Sequence, residues 1–288
     1  MPFTSAPPIS RLSPAGRTSA CTCLVLSEER YLRQRQPAGV VAALGRRGVE
    51  VSVVDPDALV HDLRDRPWIA GAAVVLARGR SPSLLTALAV AERFGVSTIN
   101  RAAAVAAVRD KAAMAAALVA AGIPTPDTWV GRPAELSGAI RPASYPLVLK
   151  PVFGDNGTGV RLVGEPRELL SAPWPQDVAL AQRYVPNGGM DVKVYAVGPR
   201  RWAVRVPSPV FGGPGGAADP EPVPVTPALA DLADRCGRLF GLDLFGVDCL
   251  MTPGGPVAVE VNDFPNYRGV PDADEALAAY VVAAVEAS

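Results

Sequence analysis

The chain has 288 residues, enough for about two domains. Hydrophobic residues make up 49% and charged residues 19%, a balance that allows a sizeable core and excludes a disordered chain. The 28 basic and 28 acidic residues cancel, so no overall charge favours nucleic acid or an anionic membrane as a partner. No apolar run reaches the roughly 18 residues of a membrane span, and residues 1–20 lack the apolar core of a secretory signal. We therefore expect a cytoplasmic protein.

Thiol and imidazole content limits the chemistry further. Four cysteines (Cys21, Cys23, Cys236 and Cys249) are too few for a disulfide framework in a chain of this length. Cys21 and Cys23 begin an apolar run and are predicted to be ordinary buried thiols. The single histidine, His61, excludes a histidine-rich metal site, and no G-x-S-x-G motif accompanies it to suggest a serine hydrolase.

Residues 1–20 predict a disordered tail, and residues 21–100 predict a small α/β unit. Strands are expected at 21–27, 49–55, 72–78 and 97–100. Helices are expected around residue 40, where Val40, Val41 and Leu44 follow helical spacing, and at 84–96. Strands that alternate with helices indicate a parallel sheet.

The rest of the chain mixes three helices with several short strands. The predicted helices cover 102–122, 227–241 and 272–287. The predicted strands cover 145–151, 160–164, 178–186, 190–198, 201–207, 245–251 and 256–262, the last two forming a hairpin. A flexible loop is expected at 210–222, where glycine and proline are frequent.

Lysine is rare in this chain. Only three of the 28 basic residues are lysines, namely Lys111, Lys150 and Lys193. Arginine has been used wherever a positive charge suffices, so the three lysines indicate positions that need a compact ammonium.

The predicted hairpin carries polar residues inside apolar strands. If its turn centres on Gly254, paired residue numbers sum to 508, which places Asp248 opposite Glu260. Asn262 shares a face with Glu260 because the two are two residues apart. Three oxygen donors on one face suit Mg²⁺. The alternative interpretation is that both carboxylates pair with arginines at the sheet surface.

A glycine-rich turn follows the strand that ends at Lys150. The segment GDNGTG includes Gly154, Asn156, Gly157, Thr158 and Gly159, and such a turn can donate backbone N–H groups to an anion. It is not the G-x-x-x-x-G-K-[ST] phosphate loop, because no lysine follows and a strand comes next. A fixed ammonium beside it suits a nucleoside polyphosphate.

The order of these features resembles the ATP-grasp superfamily. It comprises Lys111, Lys150, the glycine-rich turn, AQRYV at 181–185, Lys193, Arg205, Asp248 and Glu260-x-Asn262. The resemblance covers residues 100–268 and implies an α/β chain with an ATP-grasp fold after a small parallel N-terminal domain. It implies an N-terminal domain at 21–100 and an ATP-grasp domain at 101–288, divided into a central subdomain (101–185) and a C-terminal subdomain (186–288).

The resemblance also implies residue roles. Lys111 and Lys150 would contact ATP phosphates, with Lys150 reaching toward adenine N7, and residues 154–159 would close over the phosphates. Two Mg²⁺ ions would be held by Asp248, Glu260 and Asn262. Lys193 and Arg205 would stabilise charge on the transferred phosphoryl group. The adenine edge would meet the backbone of Gln182, Arg183, Tyr184 and Val185, with no role for the Arg183 side chain.

Two groups within the superfamily are similar to this sequence. KPVFGDNGTGV and EVN resemble the RimK-like carboxylate–amine ligases, which form an amide from a small-molecule or peptide carboxylate and an amine through an acylphosphate. NGGMDVKVYAVG and VNDFPNYRGVPD resemble the inositol polyphosphate kinases, although the zero net charge argues against a multiply phosphorylated substrate. We expect a ligase. The alternatives are a kinase acting on a hydroxyl and a non-catalytic nucleotide-binding protein. Many relatives are homodimers, which this chain could also form.

Four further residues lie near these motifs. Phe264, Tyr267 and Arg268 would line the acceptor pocket if the resemblance holds, or belong to a loop that caps the last helix. Asp191 precedes Lys193 on the same strand face, and we expect the two to pair.

Overall fold

The computed structural model describes residues 22–60, 62–155, 157–170, 174–212 and 219–287. The predictions for the tail at 1–20, for Cys21, His61 and Asn156, and for the middle of the 210–222 loop lie outside the described residues.

The N-terminal unit is the parallel α/β layer that the alternating pattern predicts. Its strands are β1 (Thr22–Ser27), β2 (Glu50–Val54), β3 (Ala72–Arg78) and β4 (Ser97–Ile99), in the order β2-β1-β3-β4 and all parallel. The helices α1 (Glu29–Leu32), α2 (Arg35–Arg46) and α3 (Pro82–Arg93) connect them. Because parallel strands end at one edge, the residues after β1 and β3 lie close together there.

The helix predicted at 102–122 is two helices. The chain forms α4 (Ala102–Ala107) and α5 (Lys111–Ala120), separated at residues 108–110. Asp110 caps α5, since its carboxylate accepts from the backbone N–H groups of Ala112 and Ala113, both at 2.9 Å. Lys111 therefore stands at the first position of α5 rather than inside a long helix.

A four-stranded antiparallel sheet forms the centre of the chain. Its strands are β5 (Thr128–Gly131), β6 (Leu147–Pro151), β7 (Arg161–Val163) and β8 (Ala179–Arg183), in the order β5-β8-β6-β7. The helix α6 (Pro133–Ala139) covers one face, where Leu136 packs with Leu147 and Leu149. The sequence patterns did not indicate β5 or α6.

The C-terminal sheet has five antiparallel strands. These are β9 (Met190–Val197), β10 (Arg200–Pro207), β11 (Glu221–Val223), β12 (Leu244–Thr252) and β13 (Gly255–Asp263), in the order β11-β10-β9-β12-β13. The helices in this part are α7 (Pro209–Gly212), α8 (Pro227–Phe240) and α9 (Ala273–Glu286). One face of the sheet packs on α8 and α5 through residues such as Val194, Val247 and Leu232.

The N-terminal unit and the C-terminal sheet share a hydrophobic core. Side chains of β1, α2 and β3 pack in one cluster with side chains of α9 and of the C-terminal sheet. Asn100, directly after β4, donates to the Leu244 carbonyl at 2.7 Å and accepts from the Leu244 N–H. This contact brings the edge at which β1 and β3 end to the C-terminal sheet.

Candidate functional site

A cavity of about 310 Å³ lies between the central and C-terminal sheets. The central sheet contributes residues of β6, β8 and the glycine-rich turn, and the C-terminal sheet contributes residues of β9, β12 and β13. The loop after β3 adds side chains from the N-terminal unit. All three lysines of the chain line this cavity.

The β12–β13 hairpin brings Asp248 and Glu260 opposite each other, although its turn differs from the predicted one. Thr252 pairs with Gly255 and Cys249 with Ala258, so paired numbers near the turn sum to 507 rather than 508. The register shifts between Cys249 and Asp248, which leaves Val259 as an extra residue and restores the Asp248–Glu260 and Gly246–Asn262 pairs. The prediction of this pair is confirmed, and the assumed turn is wrong.

Lys193 and Asp248 form one ion pair on the cavity face. Lys193 lies opposite Asp248 on the neighbouring strand, and its Nζ donates to both carboxylate oxygens at 3.0 and 2.9 Å. Burial lowers the pKa of Lys193, but the Asp248 carboxylate together with Tyr195 and Glu260 outweighs this effect and raises the pKa overall. The ammonium is therefore charged at neutral pH.

Lys111 links the glycine-rich turn to the second carboxylate. From the start of α5 its Nζ donates to the Gly154 carbonyl at 2.7 Å and lies 3.3 Å from the Glu260 carboxylate. Burial raises the pKa of Glu260. The surrounding cations, above all Lys111 and Lys150, together outweigh this effect, so the net shift of the pKa is downward. Glu260 is thus an ionised acceptor at the cavity surface.

Lys150 is buried at the end of β6. Its Nζ donates to the Gln182 side-chain carbonyl at 2.6 Å, and burial lowers the pKa of this lysine. Gln182, Arg183, Tyr184 and Val185 all line the cavity. The N–H groups of Arg183 and Tyr184 already donate to the carbonyls of Asp127 and Pro146, so these two donors face away from a ligand.

The glycine-rich turn reaches over the cavity between β6 and β7. Gly154, Gly157 and Thr158 line the cavity, and Gly159 stands behind them. Gly159 has φ +77°, and a Cβ there would lie 2.8 Å from Pro151 Cγ, so both the backbone and the space require glycine. Tyr31 from the N-terminal unit donates to the Asp155 carboxylate at 2.5 Å and ties the turn to that unit.

The predicted metal ligands share one face of the C-terminal sheet. Asp248, Glu260 and Asn262 all line the cavity. The three proposed ligands comprise two carboxylates and one amide. In the part of the chain that the structure describes, no three His, Cys, Asp or Glu side chains cluster as a metal site. The donor set, all oxygen and with both acids facing the cavity, fits Mg²⁺. The carboxylates contact lysines here, not arginines at the surface.

Residues 108–265 match the ATP-grasp domain family. The chain belongs to the ATP-grasp family. It is 29% identical over 255 residues to a protein of Methanococcoides burtonii named "probable alpha-L-glutamate ligase", covering 80% of this chain and 84% of that one. A protein of the same name from Thioalkalivibrio sulfidiphilus is 29% identical over 199 residues, which is 62% of this chain and only 63% of that relative.

Solved ATP-grasp structures share the fold at low identity. A RimK domain protein from Sphaerobacter thermophilus superposes with a TM-score of 0.72 at 23% identity, over 90% of this chain and 99% of that one. The ATP-grasp ligase PsnB, complexed with a precursor peptide and AMPPNP, gives a TM-score of 0.70 at 21% identity, over 95% of this chain and all of that chain. The predicted ATP-grasp fold after a parallel N-terminal unit is confirmed. Nowhere in the described parts of the chain is a helix long and apolar enough to span a bilayer.

Arg205 is a correction to the ATP-grasp site predicted from sequence. It pairs with Val192, whereas Lys193 pairs with Val204, so the two basic side chains point to opposite faces of the sheet. Arg205 forms a surface ion pair with Glu221 at 2.5 Å and does not line the cavity. The strand alternation that separates neighbouring positions therefore removes Arg205 from the site.

Three side chains near the ATP-grasp motif also differ from expectation. Phe264 and Tyr267 are fully buried in the core rather than in the acceptor pocket, while Arg268 does line the cavity. The expected pair of Asp191 and Lys193 does not form: Asp191 accepts from Asn187 at 2.6 Å, and Lys193 donates to Asp248. Burial raises the pKa of Asp191.

Two arginines of the site were missed in the sequence. Arg78 is the last residue of β3 and Arg80 follows the strand, and both line the cavity from the N-terminal unit. Arg78 donates to the Phe264 carbonyl at 2.6 Å, and Arg80 donates to the Asn262 amide oxygen at 2.7 Å. Their place at the carboxyl end of a parallel strand is the available signal, since ligand-binding residues collect there.

Proposed function

We propose that this chain is an ATP-dependent carboxylate–amine ligase, which forms an amide through an acylphosphate and releases ADP and phosphate. The observation that carries the proposal is the convergence of Lys111, Lys150 and Lys193 with Asp248 and Glu260 on a single cavity. Phosphoryl transfer needs little more from a protein than positioning and charge stabilisation, and this set provides both.

The two ends of the cavity support an orientation for ATP. Val148, Val185 and Leu250 give apolar lining near Gln182, which suits an adenine ring. Backbone contacts to the adenine edge would come from carbonyls and from Val185, because the N–H groups of Arg183 and Tyr184 are engaged elsewhere. The phosphates would then lie beneath the glycine-rich turn and beside the three lysines.

Asp248, Glu260 and Asn262 would hold two Mg²⁺ ions. Bound there, Mg²⁺ would neutralise phosphate charge and orient the phosphoryl oxygens. Lys193 would keep a second positive charge at the same edge, because the Asp248 carboxylate raises its pKa.

The proposed reaction has two balanced steps. A carboxylate oxygen of the acceptor attacks the γ-phosphorus, the bond from that phosphorus to the bridging oxygen breaks, and ADP leaves. The amine then attacks the acyl carbon, phosphate leaves, and the amine loses one proton to phosphate or water. Lys193 would stabilise the transferred phosphoryl group in the first step, and no covalent bond to the protein is needed.

The names of relatives suggest the first compound to test. The two relatives described above are named probable alpha-L-glutamate ligases, so we propose L-glutamate as a substrate, supplying either the carboxylate or the amine.

ADP release with Mg²⁺ and ATP tests the proposal. The purified protein is assayed with L-glutamate, other amino acids and short peptides, singly and in pairs, and with polyols as a separate set. We expect ADP and an amide product, seen by mass spectrometry, only when a carboxylate and an amine are both present. ADP with a single polyol, or no ADP with any pair while AMPPNP still binds, contradicts a ligase.

A further inference from the structure

The turn that follows β3 is held by buried charged groups. We call residues 78–81 the β3 turn. The Glu28 carboxylate, after β1, accepts from the backbone N–H groups of Arg80 and Ser81, the second at 2.7 Å. Arg109, in the break between α4 and α5, donates to the Gly79 carbonyl at 2.9 Å and to the Ser81 carbonyl at 2.8 Å. Two backbone N–H groups and two backbone carbonyls of the turn are thus bonded by the side chains of Glu28 and Arg109.

The burial of Glu28 and Arg109 and the lack of a side chain at Gly79 fix the conformation of this turn. Glu28 is 6% exposed and Arg109 is 9% exposed, and a buried charge is costly unless it is well bonded. A Cβ on Gly79 would overlap sterically with the Glu28 carboxylate and lie 2.8 Å from Leu84 Cδ1, so glycine lets that carboxylate approach the turn. The β3 turn is therefore preorganised, and what it presents to the cavity is fixed.

Arg80 is the side chain that the turn presents toward the proposed metal ligands. Its Nη2 donates to the Asn262 amide oxygen at 2.7 Å, and its Nη1 lies 3.5 Å from the Asp263 carboxylate. The side chain is 15% exposed and lines the cavity. A guanidinium has five N–H donors, so these two contacts leave donors for a ligand in the cavity.

The C-terminal sheet offers no such group at this point. Among its described residues, β10 contributes only Val206 and Pro207 to the cavity lining, and Arg205 turns to the other face. β9 contributes the ammonium of Lys193 but no guanidinium. Arg268, in the loop after β13, also lines the cavity, but its side chain is nearly half exposed and its Nη2 donates to the Asp219 carboxylate at 3.2 Å. The buried guanidinium beside the proposed metal ligands is therefore that of Arg80, from the N-terminal unit.

We propose that Arg80 binds the carboxylate of the acceptor substrate, which occupies the cavity at the carboxyl ends of β1 and β3. This inference rests on the proposed function, since a ligase must hold a carboxylate beside the γ-phosphate. A guanidinium suits that group because it binds a carboxylate through two parallel hydrogen bonds. Glu28 and Arg109 act as positioning residues, since they fix the turn and not the substrate.

Binding measurements test the role of Arg80 without turnover. The probes are free L-amino acids and short peptides, titrated by calorimetry into full-length protein that holds Mg²⁺ and AMPPNP. For the tightest probe, Arg80→Ala should weaken binding by about 10- to 100-fold, which corresponds to losing hydrogen bonds to a charged group. Arg80→Lys keeps the charge and should recover part of this loss. AMPPNP affinity should change less than about threefold, because phosphate contacts belong to the lysines.

A matched control separates binding from general destabilisation. Arg201 is 17% exposed and pairs with Asp234 at 2.7 Å, but it does not line the cavity. Arg201→Ala therefore loses a similar partly buried ion pair and should leave probe affinity unchanged. Melting temperature and circular dichroism report folding, and Arg80→Lys decides the test if Arg80→Ala does not fold.

Different results overturn the two proposals. Probe affinity within twofold of wild type in Arg80→Ala, equal losses of probe and AMPPNP binding, or no wild-type affinity for any carboxylate each overturn the assignment of Arg80. A wild-type protein that binds a carboxylate through Arg80 but forms no amide contradicts the ligase and leaves the Arg80 site standing. If the wild type forms an amide and Arg80→Ala leaves carboxylate binding unchanged, the ligase proposal stands and the assignment of Arg80 is overturned.

Discussion

Lys193 donates to both carboxylate oxygens of Asp248 from the adjacent strand of the same sheet. Both side chains are less than one third exposed, so solvent screens the pair only partly. Asp248 is thus placed to act in two ways, as a proposed Mg²⁺ ligand and as the group that orients Lys193. A change at Asp248 should affect both.

Asp248→Asn should lower kcat for ADP release by about 100- to 1000-fold, the range seen when one transition-state contact is removed. Asparagine keeps the size of the side chain but loses the charge that Mg²⁺ and Lys193 need. Steady-state kinetics at saturating ATP measure the loss, and circular dichroism checks that the fold is intact.

Asp234→Asn is the control for this variant. Asp234 pairs with Arg201 outside the cavity, so its loss removes a partly buried ion pair without touching the site. Its kcat should stay within twofold of wild type. If Asp248→Asn retains activity close to that of Asp234→Asn, the proposed metal site is wrong.

Lys193→Met and Arg205→Met should differ sharply. Lys193 faces the cavity, and its loss leaves Asp248 without its cation, so we expect kcat to fall by about 100-fold or more. Arg205 forms a surface pair with Glu221, and such pairs contribute about 0.2–1 kcal/mol. Parallel assays of ADP release compare the two. An activity loss in Arg205→Met as large as in Lys193→Met would show that Arg205 acts in the site after all.

The Asp248–Glu260 pair could be predicted from sequence, but the register that produces it could not. Counting from Gly254 ignores the extra residue at Val259, which no local pattern reveals. The bulge accompanies a tertiary contact, in which the Ala258 N–H donates to the Pro124 carbonyl at 2.8 Å. The observed turn shifts the pairing by one residue from the assumed register, and the bulge at Val259 shifts it back.

The helix break before Lys111 could have been predicted from a local signal, whereas the role of Arg80 depends on packing between distant parts of the chain. Asp110 before Lys111 is a typical helix N-cap, so the break between α4 and α5 was available from sequence. Arg80 reaches Asn262 across 182 positions, through the packing of one unit on another. The grouping of the three lysines in one site was predictable, because lysine is rare in this chain. The domain boundary near residue 100 stays a prediction.

Lys150 should make stability depend on pH in the alkaline range. Burial lowers its pKa below the ordinary 10.5, so the folded protein releases this proton at a lower pH than the unfolded chain does. Between the two pKa values the unfolded chain binds more protons, and the free energy of unfolding therefore rises with pH. Below that window both states are protonated and the full cost of burying the charge applies.

Lys150→Met removes this dependence. Urea unfolding at a series of pH values up to about 10.5 gives the difference in free energy of unfolding between wild type and variant. We expect the free energy of unfolding of the wild type to increase relative to that of the variant as pH rises. A difference that is constant across the range would mean that the pKa of Lys150 is not lowered.

The described thiols should be unreactive in the folded protein. Cys23, Cys236 and Cys249 are buried and free, and burial raises the pKa of Cys23 and of Cys236 to about 12. Few thiolates form at pH 8, and access is blocked as well. A Cys21→Ser variant, used because Cys21 lies outside the described residues, should bind no thiol reagent when native and three equivalents when unfolded. Rapid native labelling would contradict the burial of these side chains.

Tyr31→Phe should weaken ATP binding without slowing the chemistry. The Tyr31 hydroxyl donates to Asp155 in the glycine-rich turn, and the guanidinium groups of Arg30 and Arg78 lie over its ring, 4.7 and 4.5 Å from the ring centroid. Phenylalanine keeps the ring contacts and loses only the bond that ties the turn to the N-terminal unit. KM for ATP should rise about tenfold, as for one hydrogen bond to a charged group, with kcat within threefold.

Tyr280→Phe is the matched control for this last variant, since Tyr280 hydrogen-bonds Asp243 away from the cavity. It removes the same kind of hydroxyl–carboxylate bond and should leave KM for ATP unchanged. Limited proteolysis adds a second readout, because a released turn exposes its backbone: cleavage near residue 155 should be faster in Tyr31→Phe and slow again with AMPPNP bound. Equal KM values in the two variants would mean that Asp155 is held by its other contacts and that the N-terminal unit does not position the turn.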